Sequence, residues 1–447
     1  MNGCARSLGA VALAVGLALA ATGGSLAGAD EPPEPPPPPG GEGGPAPSPS
    51  PAEPANPPPS ASSLSVFGGV RLRFTGYLDI GFFDAAGDGV AYVRDVGKKL
   101  HPEETDVPWV FLGDPWSNPV NSQGDSADLG RDRTTIPRFD PIASGGKPSF
   151  LVNMVNLGMV GGAGEKLLFE FSVDFEPRSG TLGSSGDQID IDLAYLEWMP
   201  WKSRDIHVFA GKFESTFGIE YRRRKAPDRP GITPSLIARY TTGTPTGLKL
   251  RGSLLHQKVT YNLGLTNGTV TTEKFAHFFD ELDTNAGKTV SGRISFQLPL
   301  PFTLEVGASG LSGAQDLQPS ARDRYNQYGV DLQLVAHDLT VRAELLRATA
   351  DGGGVTRAPS LNARGGFVEA FYQLWPWAEV LGRADFRKAR LLTYPNLYLS
   401  DTARATVGAR FDISPNAIGK VEYLHIMERT GPELDDDVAT VSFVFKF

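Results

Sequence analysis

The chain has 447 residues, a formal net charge of −9 and one cysteine. One thiol excludes a disulfide-built scaffold, and an acidic balance gives no basic footprint for nucleic acid. The length suffices for two or three ordinary domains if the chain is soluble.

At the amino end, Arg6 precedes the apolar stretch AVALAVGLALAA (residues 10–21), and Ala27-Gly28-Ala29 stands before Asp30. This is the form of an export signal over residues 1–29, and the stretch is too short for a retained helical span. Cys4 lies ahead of it, so signal removal leaves no cysteine nucleophile and no thiolate metal site. Residues 30–65 read as a Pro-rich periplasmic linker. Within it, residues 31–60 hold 15 of the 36 prolines and no aromatic or branched aliphatic residue. Such a segment buries nothing and is expected to be a solvated, semi-rigid spacer. A Pro-rich ligand for a partner is the alternative.

From residue 66 to 447 the period becomes two. In VRLRFTGYLDIGF, Val70, Leu72, Phe74, Leu78, Ile80 and Phe82 share one face, and Arg71, Arg73, Thr75, Tyr77 and Asp79 the other. The same pattern recurs in KLLFEFSVDFE and in DTARATVGARFDI. Such alternation predicts strands with one apolar and one charged face. Segments of this kind fall at 70–83, 149–160, 166–177, 188–199, 206–217, 246–255, 258–267 and 288–298. The rest are 302–311, 324–336, 339–349, 364–375, 378–388, 401–413, 418–429 and 437–447, making sixteen. Alternation is weakest in the second, fifth, twelfth and fifteenth.

Even-numbered strands are followed by brief turns such as GGAGE and WKSRD, odd-numbered ones mostly by longer gaps, among them 84–148 and 218–245. Short turns at one end and long loops at the other predict an all-β protein, a 16-stranded antiparallel transmembrane up-and-down β-barrel. A soluble sandwich also alternates, but it would turn its charges outward around a dry core. Trp198, Trp201, Trp375 and Trp377 cluster beside short turns, as an interfacial girdle requires. The expected location is a bacterial outer membrane.

The final segment, ATVSFVFKF, sets Ala439, Val441, Phe443, Phe445 and Phe447 on one face. It resembles the terminal signature of bacterial outer-membrane barrel proteins, which implies that Phe447 is an assembly signal read by the barrel assembly machinery. GKFESTFGIEYR (residues 211–222), followed by a loop and TGLKL, resembles the phosphate-selective and OmpL-like porin grouping. Members of the phosphate-selective group often carry a lysine run near the entrance; here only Lys98-Lys99 stands together.

That resemblance implies a homotrimeric channel in which the loop after the fifth strand narrows the lumen. Here the loop is 218–245, and the sequence independently makes it basic. Arg222, Arg223, Arg224, Lys225, Arg229 and Arg239 stand against Glu220 and Asp228, leaving a formal +4. These six cations are the candidate pore constriction. The candidate pore wall is Arg71, Arg73, Lys249, Arg251, Arg293, Arg342, Arg404 and Arg410, opposed by inward carboxylates concentrated on the early strands. Clustered cations in a constriction favour anions such as phosphate. The alternative places Arg222–Lys225 above the membrane against anionic lipopolysaccharide.

No cofactor, metal or enzymatic activity is expected. The six histidines have no metal-binding spacing, and His277 near Asp280 is the sole local pair of note. Glu433, Asp435, Asp436 and Asp437 lack the alternate ligands of a calcium loop and read as solvated charge. A structural or adhesive barrel is the alternative function.

Overall fold

A computed structural model describes residues 64–66, 70–85, 127–128, 140–141, 149–175, 189–201, 203–268, 286–314, 324–351, 359–391, 397–428 and 437–447. The signal segment, nearly all of the Pro-rich linker, most of 84–148, His277, Asp280, Glu433, Asp435 and Asp436 lie outside them.

Sixteen strands build the wall: β1 (Val70–Ala85), β2 (Ser149–Ala163), β3 (Leu167–Phe175), β4 (Ile189–Trp198), β5 (Ile206–Lys212), β6 (Thr246–Leu254), β7 (Val259–Thr266) and β8 (Thr289–Pro299). Then come β9 (Thr303–Ala314), β10 (Arg324–Ala336), β11 (Leu339–Asp351), β12 (Pro359–Trp375), β13 (Ala378–Leu391), β14 (Leu397–Ser414), β15 (Ala417–Glu428) and β16 (Val438–Lys446). Each pairs antiparallel with the next, and β16 returns to β1 in a register running from Val438↔Ala85 to Lys446↔Tyr77. The sheet is therefore closed and the wall has no free edge. Leu64–Val66 adds a short antiparallel pairing to the start of β1.

The wall is inverted relative to a soluble fold. On β6, Leu248 is 54% exposed while Lys249 between Leu248 and Leu250 is 4% exposed. Apolar side chains face outward and charged ones inward, the arrangement of a lipid-facing barrel. The four girdle tryptophans are exposed at the short-turn ends, with Trp375 and Trp377 stacked at 5.4 Å.

Two of the weak alternations have physical causes. On β2 the register slips beside Asp79, so Asn153 and Met154 are both buried inside. The fifth strand, expected to reach 217, stops at Lys212. Gly211 has φ 128°, and from Phe213 the chain turns into the lumen, where Phe213 and Phe217 are buried. A further slip on β4 turns both Asp192 and Leu193 inward. Bulges re-aim side chains in this way.

Candidate functional site

The segment from Phe213 to Pro245 is nearly all buried within the barrel. A hydrogen bond from the Phe213 amide to the Pro245 carbonyl (3.1 Å) draws its ends together. Between them lie one 3₁₀ turn, Glu220–Arg223, and one α-helical turn, Ala238–Thr241. The 3₁₀ turn holds Arg222 and Arg223 of the basic run, between Gly218 and Pro227. The loop also ties to itself, because the Glu220 carboxylate accepts from the Ser235 amide (2.8 Å), the Ser235 hydroxyl (2.6 Å) and the Thr241 hydroxyl (3.1 Å).

Wall side chains then grip the loop's main chain. At the first bend, one Glu344 oxygen on β11 accepts from the amides of Ile219 (3.0 Å) and Glu220 (3.2 Å), while Arg342 donates to the Ile219 carbonyl (2.6 Å). Gly218 permits this bend: its φ is +70°, and a Cβ there would collide with the Glu344 carboxylate. At the second bend, Glu422 on β15 accepts from the amides of Ile232 (2.8 Å) and Thr233 (2.9 Å). Gly231 lies so close beneath Glu422 that a Cβ would meet its oxygen. Lys420 places its three ammonium donors on the carbonyls of Ala226, Arg229 and Gly231, at 2.5, 2.6 and 3.0 Å. Arg383 on β13 reaches the Thr233 carbonyl (2.8 Å), and Arg404 on β14 the Pro234 carbonyl (2.6 Å). Ala226 packs beside this bend with Tyr77, Met154, Ile418 and Val444, while Thr216 meets Ser291 of β8 (2.6 Å) elsewhere on the ring.

The predicted constriction cations occupy different surroundings. Arg224 is buried and paired with Asp192 of β4 at 2.6 Å. Lys225 lies 3.4 Å from Asp192 and 3.8 Å from Glu170 of β3. Arg222 contacts Glu305 of β9 at 3.3 Å, within a cluster where Arg293 bridges Glu305 (2.8 Å) and Asp331 (2.6 Å). Arg229 donates to the Arg224 carbonyl (2.7 Å). Arg223 is the exception: its guanidinium sits 5.5 Å from the Phe371 ring, partly exposed, with no ion-pair partner among the described residues. The Arg239 backbone belongs to the α-helical turn, and its side chain lies outside the described set.

The predicted wall residues also divide. Lys249 lies over the Phe209 and Phe213 rings at 4.5 and 5.2 Å. Arg342 pairs with Glu369 (2.9 Å), Arg404 with Asp385 (2.6 Å), and Arg410 with Asp412 (2.9 Å). Arg410 also reaches the Pro227 carbonyl (2.9 Å). Arg251 lies 3.8 Å from Glu197, which also holds His207. Arg71 is exposed and Arg73 half-buried near the start of β1. Inward carboxylates, expected mainly on the early strands, also stand on later ones and pair locally with the wall cations, and the formal +4 of the loop meets wall carboxylates. The residues missed at the outset, Glu369, Arg383, Asp385, Arg387, Lys420 and Glu422, carried a readable signal. Arg383-x-Asp385-x-Arg387 and Lys420-x-Glu422 alternate charge on one strand face.

Among known families, the one described as "Putative beta-barrel porin-2, OmpL-like" matches residues 152–447, from β2 through the whole of β16. The chain belongs to this family. A porin-like outer-membrane barrel is thus the setting of the loop described above. Two solved structures share the fold. For OmpF of Salmonella typhi in complex with daunomycin, identity is 13% and the TM-score 0.51, covering 85% of this chain and 98% of that one. For the outer membrane channel DcaP of Acinetobacter baumannii, identity is 12% and the TM-score 0.51, covering 86% and 99%. No curated protein matches the sequence. Among the described residues, no cluster of His, Cys, Asp or Glu is arranged to hold a metal.

Proposed function

We propose that this OmpL-like barrel is a porin, a water-filled channel for passive diffusion of small hydrophilic solutes, narrowed by the loop at 213–245. A sixteen-stranded barrel leaves an interior too wide for wall side chains to fill. The observation that carries the reading is the grip of wall residues on β11 to β15 on the loop's main chain, with side-chain pairs from the loop to Asp192 on β4 and Glu305 on β9. Such anchoring makes a fixed constriction rather than a swinging flap. A homotrimer and a mild preference for anions such as phosphate belong to the same proposal. The support for the anion preference is Arg223, whose charge is not cancelled by an ion pair, with the partly exposed Arg222, Lys225 and Arg410 near it along the loop and wall.

Single-channel recording in planar bilayers tests the channel. Stepwise conductance is expected; its absence would leave a non-conducting structural or adhesive barrel, the reading favoured by how completely the loop is buried. A reversal potential measured across a salt gradient then tests selectivity. Replacing Arg223 with Ser is expected to move it toward cations. An unchanged potential in the quadruple variant Arg222→Ser, Arg223→Ser, Arg224→Ser, Lys225→Ser would remove the loop from the ion path.

A further inference from the structure

The outer surface of the wall carries a row of charge that the lumen does not use. Strand register aligns Gly310, Tyr328, Arg347, Arg364 and Lys388 directly across β9 to β13. Their positions alternate with the inward residues of the same strands, so the row faces outward. One pleat toward the short turns, the parallel row is apolar: Ala308, Val330, Leu345, Gly366 and Phe386. One pleat toward the long loops it is polar: Ser312, Asn326, Thr349 and Asn362, with Ser312 hydrogen-bonded to Asn326 at 2.7 Å. The cations therefore sit on the boundary of the apolar belt at its long-loop end. In barrels of this class that end faces the exterior.

Arg347 and Arg364 are both exposed and directly opposed across the ladder. Arg364 is flanked by a second cation, Lys388, on its other side. Like charges placed opposite one another destabilise a sheet. Neither arginine has an ion-pair partner among the described residues, whereas Lys388 lies in register with Asp401. Tyr328, 62% exposed beside Arg347, has an amphipathic ring suited to the headgroup level. A bridging anion held at that depth removes the repulsion, and two guanidinium planes suit phosphate oxygens bidentately. Dissolved anions would not need an apolar row directly beneath them; the acyl chains of a lipid would.

We infer that Arg347 and Arg364, with Lys388 and Tyr328 beside them, bind the phosphate groups of an anionic outer-leaflet lipid. The site rests on the membrane orientation of the barrel and not on its conductance.

The test uses the purified barrel in a neutral detergent, with bound lipid counted by native mass spectrometry. Three probes are compared: lipid A, dephosphorylated lipid A and inorganic phosphate. Lipid A is expected to bind, and the double variant Arg347→Ser, Arg364→Ser to bind it about tenfold or more weakly. The double variant Arg347→Lys, Arg364→Lys, which keeps the charge, is expected to fall between the two. Equal binding by the serine variant, or by dephosphorylated lipid, would overturn the assignment. Competition by inorganic phosphate at the same concentration would make this a free-anion site instead. Conductance of the serine variant is expected to be unchanged, so a failure here is distinct from a failure of the channel.

Discussion

Two glycines do the shaping at the loop's bends, each pressed against a wall carboxylate. Gly218→Ala places a Cβ in the left-handed region and into Glu344. The backbone alone costs about 1–3 kcal/mol. The expected result is a loosened loop, read as noisier and larger single-channel currents from a barrel that still folds. Arg224→Ala acts differently, because it strands the Asp192 carboxylate at a buried position. Removing one partner of a buried pair costs about 3–5 kcal/mol, and Lys225 at 3.4 Å offsets part of that. The melting temperature in detergent is expected to drop for Arg224→Ala and to stay near wild type for Arg223→Ser. An equal drop in both would mean that Arg223 is structural, and the selectivity assigned to it would fall.

At the scale of elements, the strands were legible because the signal is local. A residue's face follows from its neighbours two positions away, as Phe74 and Ile80 on β1 illustrate by standing exposed where the alternation put them. Bulges break that locality: nothing near Asp192 in sequence announces that Leu193 will also turn inward. The loop's charge was legible too, but its neutralisation was not. Asp192, Glu170 and Glu305 lie on wall strands outside the loop, and it is the folded barrel that brings them to its cations. Three wall arginines read as a field for solutes, Arg342, Arg404 and Arg410, also fasten carbonyl oxygens of the loop. Lys420, which was not among them, does so most fully, since its ammonium serves three carbonyls at once. Lys420→Met keeps the bulk and removes all three bonds; limited proteolysis is expected to cut between Ala226 and Gly231 in this variant and not in wild type. Replacing residues 218–241 with a short Gly/Ser turn is expected to raise conductance while the barrel keeps its strand signature by circular dichroism.

For the molecule as a whole, the interior is a charge-paired lining and the exterior an apolar belt. Removal of the Pro-rich residues 31–60 is expected to leave conductance intact, measured beside the full chain; altered gating would give that segment a role beyond spacing. One structural feature, the β16–β1 seam, also bears on the order of events during assembly. Every other ladder joins strands consecutive along the chain, whereas the seam bonds Ser442 to Asp79 at 2.5 Å across a separation of 363 residues. Bringing such distant ends together costs about 5 kcal/mol of chain entropy, a sum that a ladder of this length can repay. The difficulty is one of time. Until β16 arrives, the edge of β1 that will receive it has no strand partner from Tyr77 onward, while Leu64–Val66 covers only its start at Val70–Leu72. The Phe447 ring then seats over Gly76, with backbone bonds in both directions between the two residues (3.1 and 3.3 Å). The same phenylalanine that resembles an assembly signal thus also fastens the joint whose closing completes the wall.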